Sequence, residues 1–306
     1  GNDTIVGGSG NDTIYGGAGN DTIDGETGAD TIYGEGGNDA ITMSATTDTI
    51  DGGAGNDTIT AAGNLAFGAS VKGGAGTDEL ETTATESASD ASVVSEFETL
   101  DINGDFTQDL DNFSNNTFTS VIVGGQTTTV QSVRDEVIVV DAALGGDSTI
   151  TMESVSGSST TVALKIKGSS AVDTTNDLLV ASTEIFNIES DDTNTTQASG
   201  IVHTLDLGAS TAATLNITGD AGLIFASGGH TDLDTVTTVD ASGMVLAKTT
   251  FSGLTYDSTN NLAGAAVTVT GSNGIDTLTG GANATDTFNA GAGADVFTYD
   301  GGNDVY

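Results

Sequence analysis

Isoleucine returns at every ninth position in the first sixty residues, as Ile5, Ile14, Ile23, Ile32, Ile41, Ile50 and Ile59. Each stands between residues that are mostly polar, and the intervals are filled by glycine and small polar side chains, as in GGSGNDTIY (7–15), GGAGNDTID (16–24) and GGAGNDTIT (52–60). Two residues before each isoleucine lies an aspartate: Asp3, Asp12, Asp21, Asp30, Asp39, Asp48 and Asp57. A repeat this regular predicts identical short units stacked on one another, with the aspartates aligned in columns.

The same grammar recurs twice. After AAGNLAFGASVK (61–72), whose alternating Leu65, Phe67 and Val71 predict a strand or small excursion, the array resumes as GGAGTDELE (73–81) with Asp78 and Leu80. Residues 271–306 carry Asp276, Asp286, Asp295 and Asp304, with Leu278, Phe288, Phe297 and Tyr306 as inward partners two residues on. Between the blocks, residues 82–270 are rich in Thr, Ser, Val and Ala and alternate over short runs: VIVG (121–124), VIVV (137–140), TVALKIKG (161–168), TLNITG (214–219) and AVTVTG (266–271). Alternation of this kind marks β-strands, and the Gly, Asn and Asp between them supply turns. FETLDI (97–102), TEIFNI (183–188) and LDTVTTV (233–239) form an irregular echo, and helical periodicity is weak throughout. The expected organisation is a regular array over 1–81, a solenoid-like β region over 82–270 and a second array over 271–306.

Composition narrows the function. The formal net charge is -39, from 44 acidic and 5 basic residues. A chain so acidic lacks the Lys and Arg that replace counterions on nucleic acid and is repelled by anionic lipid; bound cations suit it instead. Aromatics make up 5% and Trp is absent, so the core is thin. Cysteine and proline are absent, and 44 glycines do the turning. No apolar run reaches the length of a membrane span, and no signal-peptide pattern is present. Starting in one repeat and ending in another, the chain reads as a piece of a longer polypeptide, with targeting signals outside it.

Aspartates in columns need neutralising. Coils of a parallel ladder lie about 4.8 Å apart, and two unit charges at that distance repel by roughly 3–4 kcal/mol at an effective dielectric of about 20. Calcium is the cation that fits, being hard, tolerant of irregular geometry and able to take six to eight oxygens from carboxylates and exposed carbonyls.

The unit resembles GGxGxDxUx, the calcium-binding nonapeptide of RTX (repeats-in-toxin) proteins, over residues 1–60, 73–81 and 271–306. The resemblance implies an all-β fold: parallel β-roll blocks flanking a β-rich, solenoid-like middle region. Six residues (Gly7 to Asp12) would make a turn and three (Thr13 to Tyr15) a strand. Two units would complete a coil, placing Asp3, Asp21, Asp39 and Asp57 in one column and Asp12, Asp30 and Asp48 in the other. Several Ca2+ ions would be held by these aspartates with Asp78, Asp276, Asp286, Asp295 and Asp304. Around them the turns supply Gly7, Gly10, Gly16, Gly19, Gly28, Gly37, Gly52, Gly55, Gly73 and Gly76, and Asn2, Asn11, Asn20, Asn38 and Asn56. Departures are visible: MSATT before Asp48 has no glycine, Glu26 and Glu35 occupy usual glycine positions, and GANAT precedes Asp286. The column containing Asp48 is therefore expected to hold metal less well than the one containing Asp57.

Other motifs carry less. DINGDFTQD (101–109) sets Asp101, Asn103, Asp105 and Asp109 at EF-hand positions, but Phe106 replaces the loop glycine and Asn112 the closing glutamate. His203 and His230 are far apart with no cysteine to join them, and neither HExxH nor GxSxG occurs. Lys165 and Lys167 share a strand face and read as surface charges available to an acidic neighbour chain. The Asn-Asp-Thr triplets are a product of the repeat, not glycosylation signals. Two RTX-like blocks around a Thr/Ser/Gly/Ala-rich stretch also resemble the calcium-dependent surface-layer proteins of Gram-negative bacteria. That resemblance implies a non-enzymatic protein, exported by a type I system, that folds on calcium and assembles with copies of itself at the cell surface. Cell-surface polysaccharide would be met through a region outside this chain. The alternatives are an adhesin or biofilm-matrix protein, or the calcium-binding C-terminal part of a secreted hydrolase.

Overall fold

A computed structural model describes residues 1–44, 47–61, 63, 65, 69–104, 106–123, 127–131, 137–141, 149–153, 161–168, 173–181, 185–192, 200–208, 213–225, 233–261, 265–281, 285–299 and 301–306. The protein is all-β, with parallel strands stacked as a β-solenoid. Helix among the described residues is confined to Ala88–Ala91 and the 3-10 turns Leu110–Asn112 and Ser258–Asn260. Among the described residues no helix is long and apolar enough to cross a membrane. The chain divides into two compact units, Gly1–Thr128 and Thr129–Tyr306.

In the first unit one sheet contains Thr4–Val6, Thr22–Asp24, Ala40–Met43, Thr58–Ala61, Glu79–Thr82, Thr99–Ile102 and Ser120–Val123. A second contains Thr13–Ala18, Thr31–Gly36, Thr49–Ala54, Ser70–Ala75 and Val94–Ser95. The register follows the eighteen-residue coil: Ile5 pairs with Ile23, Ile23 with Ile41 and Ile41 with Ile59, while Ile14 pairs with Ile32 and Ile32 with Ile50. Since strand side chains alternate, one isoleucine per strand fills the interior while the flanking Thr faces out. Ile23, Ile32, Ile41, Ile50 and Ile59 are buried. Leu80, Leu100 and Val121 continue the stack on longer coils, paired in the order Ile59, Leu80, Leu100, Val121.

The stretch after Thr60 is both strand and excursion. Val71 lies in the strand Ser70–Ala75, Leu65 is buried within the excursion, and Phe67 falls outside the described residues. The excursion is pinned where Leu65 N–H donates to Glu86 Oε2 at 2.9 Å. Glu86 is itself fully buried, its N–H donates to Gln108 Oε1 at 2.8 Å, and its Oε1 has no partner. Ser87 caps the short helix Ala88–Ala91 beside it.

The second unit repeats the architecture without the fixed period. One sheet runs through Val137–Asp141, Thr161–Gly168, Ile185–Asp192, Thr214–Gly219, Thr238–Met244, Thr268–Thr270 and Thr287–Asn289. The other runs through Thr149–Glu153, Asp173–Ala181, Val202–Gly208, Gly222–Phe225, Ser252–Asp257, Ile275–Gly280 and Val296–Tyr299. The alternating runs read from the sequence all contain strands. Coil length swings from 18 residues, where Thr287 bridges Val305, to 31, where Leu223 meets Leu254. Lys165 reaches Glu189 at 2.7 Å and Asp191 at 2.5 Å, acids of the neighbouring strand in its own chain. His203 is a buried core residue with Nε2 3.0 Å from Asp191 O, and burial lowers its pKa. His230 lies outside the described residues.

Burial, more than the nearby Asp90, pushes the Glu86 carboxyl up to about 7, although the Leu65 N–H opposes the shift. The folded protein thus holds a proton that the unfolded chain releases, so this contribution is fully present below the usual glutamate range and is lost as pH climbs through about 7. The shift corresponds to roughly 3 kcal/mol. Thermal unfolding in saturating calcium is expected to show stability falling from pH 5 to pH 8, with Glu86→Gln removing most of that slope. An identical slope in wild type and variant refutes the assignment.

Candidate metal centre

The six-residue turns that end at Asp12, Asp21, Asp30, Asp39, Asp57 and Asp78 begin with a glycine whose bare Cα the coil requires. A Cβ at Gly16 would lie 2.8 Å from Asp21 Oδ2 and 2.8 Å from Gly34 O; one at Gly34 would lie 2.5 Å from Asp39 Oδ2 and 2.3 Å from Gly52 O. At the next position the backbone is left-handed, with φ 100 at Gly17 and 108 at Gly53. Glu26 and Glu35 adopt the same conformation at φ 62 and 71. The backbone path is therefore conserved in space where glycine is not present, at the strain a side chain meets in that region. Asp24 Oδ1 steadies the first of these by accepting from Glu26 N at 2.8 Å.

The aspartates stand in columns, joined by one repeated contact. Oδ1 of each accepts the backbone N–H of the aspartate one coil earlier: Asp3 to Asp21 at 2.7 Å, then Asp21 to Asp39, Asp39 to Asp57 and Asp57 to Asp78, each at 2.8 Å. The second column runs from Asp12 to Asp30 at 2.8 Å and from Asp30 to Asp48 at 3.0 Å. The preceding asparagines run the ladder in the opposite sense. Oδ1 of Asn2, Asn11, Asn20, Asn38 and Asn56 accepts the N–H of Asn20, Ala29, Asn38, Asn56 and Thr77. Gly10, Gly19, Gly37 and Gly55 donate their N–H groups to the next coil, while Gly28 and Gly76 pass so close to Gly10 O and Gly55 O that a Cβ would lie 1.8 Å away.

The other carboxylate oxygen is unsatisfied. Oδ2 of Asp12, Asp21, Asp30, Asp39, Asp57 and Asp78 is buried with no hydrogen-bond partner. Desolvation raises the pKa of Asp39, Asp57 and Asp78, reaching about 6 at Asp57; the ladder hydrogen bond opposes it and neighbouring carboxylates add to it. An uncompensated buried carboxylate is costly. Each of these oxygens turns toward the first glycine of its own turn. At Gly7, Gly16, Gly34, Gly52 and Gly73 the carbonyl of the next coil converges on the same point. Among the described residues no group of three acidic or histidine side chains forms a metal cluster, so backbone carbonyls must complete any coordination shell. Carboxylate and carbonyl oxygens at the meeting of two coils form a hard donor set, and this fits Ca2+.

The geometry also reaches residues that the sequence reading left out. Gly25 and Gly34 hold the first-glycine place, hidden because glutamate rather than a second glycine follows them. Beyond Asp78 the column continues through Glu98, whose Oε2 accepts the Asp78 N–H at 2.9 Å, and Glu96 O takes the carbonyl position opposite Gly73. The turn before Asp48 contains residues 45–46 and falls partly outside the described residues. Asp101 lies on the strand Thr99–Ile102, Asp105 is outside the described residues, and Asp109 Oδ1 accepts from Asp111 N at the 3-10 turn. Asp101 and Asp109 thus build a strand and a cap rather than an EF-hand.

A family model described as the RTX calcium-binding nonapeptide repeat matches the chain in four copies, over residues 1–31, 19–42, 44–64 and 270–306. These segments are RTX repeats. No curated protein matches the chain. RTX repeats bind multiple Ca2+ ions, which accounts for the orphaned oxygens of the first RTX array. In the second RTX block Asp276 N–H donates to Asp295 Oδ1 at 3.0 Å and Asp286 N–H to Asp304 Oδ1 at 2.9 Å, so the ladder persists there. Leu278 and Phe288 are buried, whereas Phe297 and Tyr306 pack against Phe288 while remaining 40% and 47% exposed.

Asp→Asn exchange separates the two roles of an RTX aspartate, because an amide keeps the ladder acceptor and removes the charge. Asp39→Asn and Asp57→Asn are each expected to raise the calcium midpoint of folding about tenfold, since ligand charge sets affinity in oxygen sites. In chelator both variants should be more structured than wild type. Circular dichroism across a calcium titration reads both effects, and a variant as calcium-responsive as wild type would exclude that carboxylate as a ligand.

Proposed function

We propose that this protein is a non-enzymatic, secreted structural protein that folds on calcium and assembles with copies of itself at the cell surface. The observation that carries the reading is the column of buried, unpartnered Oδ2 atoms, which makes the fold of residues 1–82 conditional on a cation. Binding to the folded turns alone stabilises them by linkage. Where calcium is scarce, a chain of net charge -39 repels itself. RTX-repeat proteins are typically type I-secreted and extracellular, and a chain that stays open inside the cell and folds outside suits that route. Short parallel strands, stacked within each unit, support a scaffold role, since strand edges are templates for pairing once charge repulsion is relieved.

Chelation with EGTA is expected to abolish much of the β-sheet circular dichroism, and millimolar calcium to restore it. Ordered sheets or filaments should then appear by electron microscopy and light scattering, with no turnover of ester, peptide or glycoside substrates. A spectrum indifferent to chelator overturns the calcium reading. A stable monomer at millimolar calcium that binds a cell-surface glycan or protein identifies an adhesin, and turnover of any of the three substrates identifies a hydrolase.

A further inference from the structure

The second RTX block treats its first two aspartates differently from the array at the start of the chain. Asp276 Oδ1 accepts from Leu254 N at 2.6 Å and from the Ser272 hydroxyl at 2.8 Å, while its Oδ2 accepts from Ser272 N at 2.9 Å. Asp286 Oδ1 accepts from Val267 N at 2.9 Å, and its Oδ2 accepts from the Ser258 hydroxyl at 2.7 Å and from Gly281 N at 3.1 Å. Both carboxylates are buried, yet both oxygens of each are satisfied. At Asp21, Asp30, Asp39, Asp57 and Asp78 of the first array only Oδ1 has a donor, and Oδ2 is left facing a bare glycine.

Ser258 stands in the space that the first array keeps open, its Oγ 3.3 Å from where a Cβ of Gly281 would lie. Ser272 works on the other side of its carboxylate: its Oγ, 2.0 Å from where a Cβ of Gly253 would lie, meets Oδ1, while Oδ2 lies 2.6 Å and Ala290 O 2.5 Å from where a Cβ of Gly271 would stand, as in the first array, and there the Ser272 N–H supplies the donor. Ser272 is held by a further contact, its Oγ accepting from Gly274 N at 3.0 Å. Ser258 opens the 3-10 turn Ser258–Asn260, which Asp257 caps through the Thr259 N–H at 2.9 Å. Its hydroxyl is thereby fixed before Asp286 arrives from 28 residues along the chain. A buried carboxylate that accepts three protein donors has its charge spread over fixed dipoles, and a cation entering there would first have to displace them.

We propose that Asp276 and Asp286 are anchored without calcium, with Ser272, Ser258 and the neighbouring amides occupying the oxygens that the cation takes in residues 12–78. The strands Ser252–Asp257, Thr268–Thr270 and Ile275–Gly280 then form a calcium-independent part of an otherwise calcium-dependent protein. This rests on the calcium reading of the first array, but it is tested separately.

Hydrogen exchange on the whole chain, read by mass spectrometry in calcium and in EGTA, decides it. Peptides covering the amides of Leu254, Val267, Ser272 and Gly281 should keep their protection within about twofold in EGTA. Those covering Asp3, Asp21, Asp39 and Asp57 should lose it by tenfold or more. The number of calcium ions bound should be unchanged in Asp276→Asn and Asp286→Asn and should fall in Asp39→Asn. Loss of protection at Leu254, Val267, Ser272 and Gly281 with the same calcium midpoint as at Asp39 overturns the proposal, as does loss of a bound ion in either variant. Protection retained at every one of these amides in EGTA would leave the serine anchors standing and sink the calcium-dependent folding of the first array instead.

Discussion

Everything in the first array depends on a carboxylate placed between two coils. Its Oδ1 closes a hydrogen bond to the backbone of the coil before it, and that bond sets the step at which the aspartates stack. Burying the group for this purpose also buries its charge. Water is excluded from Oδ2, and like charges stand above and below at the spacing of a parallel ladder, where desolvation and mutual repulsion act in the same direction. Calcium answers both terms, because it supplies positive charge and takes the oxygen that hydrogen bonding leaves over. The glycines serve the same end: a Cβ at Gly34 or Gly52 would occupy the space into which the carboxylate and the next carbonyl converge.

The ladder itself does not need a metal, and the chain shows this by using amides for the same contact. Gln108 accepts the Glu86 N–H through Oε1 and returns a hydrogen bond from Nε2 to Glu86 O. Asn116 does the same for Phe97 N–H and Val94 O, and Asn273 for Leu246 N–H and Leu246 O. An amide carries a donor and an acceptor, so it can satisfy both a backbone N–H and a backbone carbonyl of the previous coil. A carboxylate carries only acceptors. Aspartate in the same role is therefore always left with a second oxygen to satisfy, by a cation where nothing else is near or by hydroxyl and amide donors as at Asp276 and Asp286. Glu86 is the intermediate case: its Oε2 accepts from Leu65 N–H, its Oε1 is orphaned, and proton uptake is the remaining answer.

What was legible in the sequence follows from this division. The ninefold isoleucines and aspartates expose the strand register and the columns, because a period in the chain becomes a translation in space. Gly25 and Gly34 were missed where the second glycine of the pair is a glutamate that nonetheless adopts the left-handed backbone. Glu98 was missed because its turn is shortened, placing a longer acid where the repeat would put aspartate. Ser258 and Ser272 leave no periodic signal at all: one acts across 28 residues and the other across 4. Their role depends on which coil folds over which, and coil lengths from 18 to 31 residues in the second unit conceal that from any fixed spacing.

That freedom of coil length has its own physical basis. The parallel ladder demands only that strands return in register, and lengthening a connection adds little closure entropy, about 0.6 kcal/mol for a doubling. Excursions such as the one holding Leu65 are therefore compatible with an uninterrupted stack, provided one contact ties each to its neighbour. Short coils of glycine and aspartate are in the opposite position. They have few apolar atoms to bury, the largest backbone entropy to lose and a charge to hide at every turn. In residues 1–60 one isoleucine per strand must offset all of this, so the balance there is set by the cation. In the second unit, by contrast, larger buried groups such as the edge-to-face pair Phe225 and Tyr256 share the load. Placing the poorest apolar core and the densest buried charge in the same coils is the physical ground on which the proposed calcium response of the first array rests.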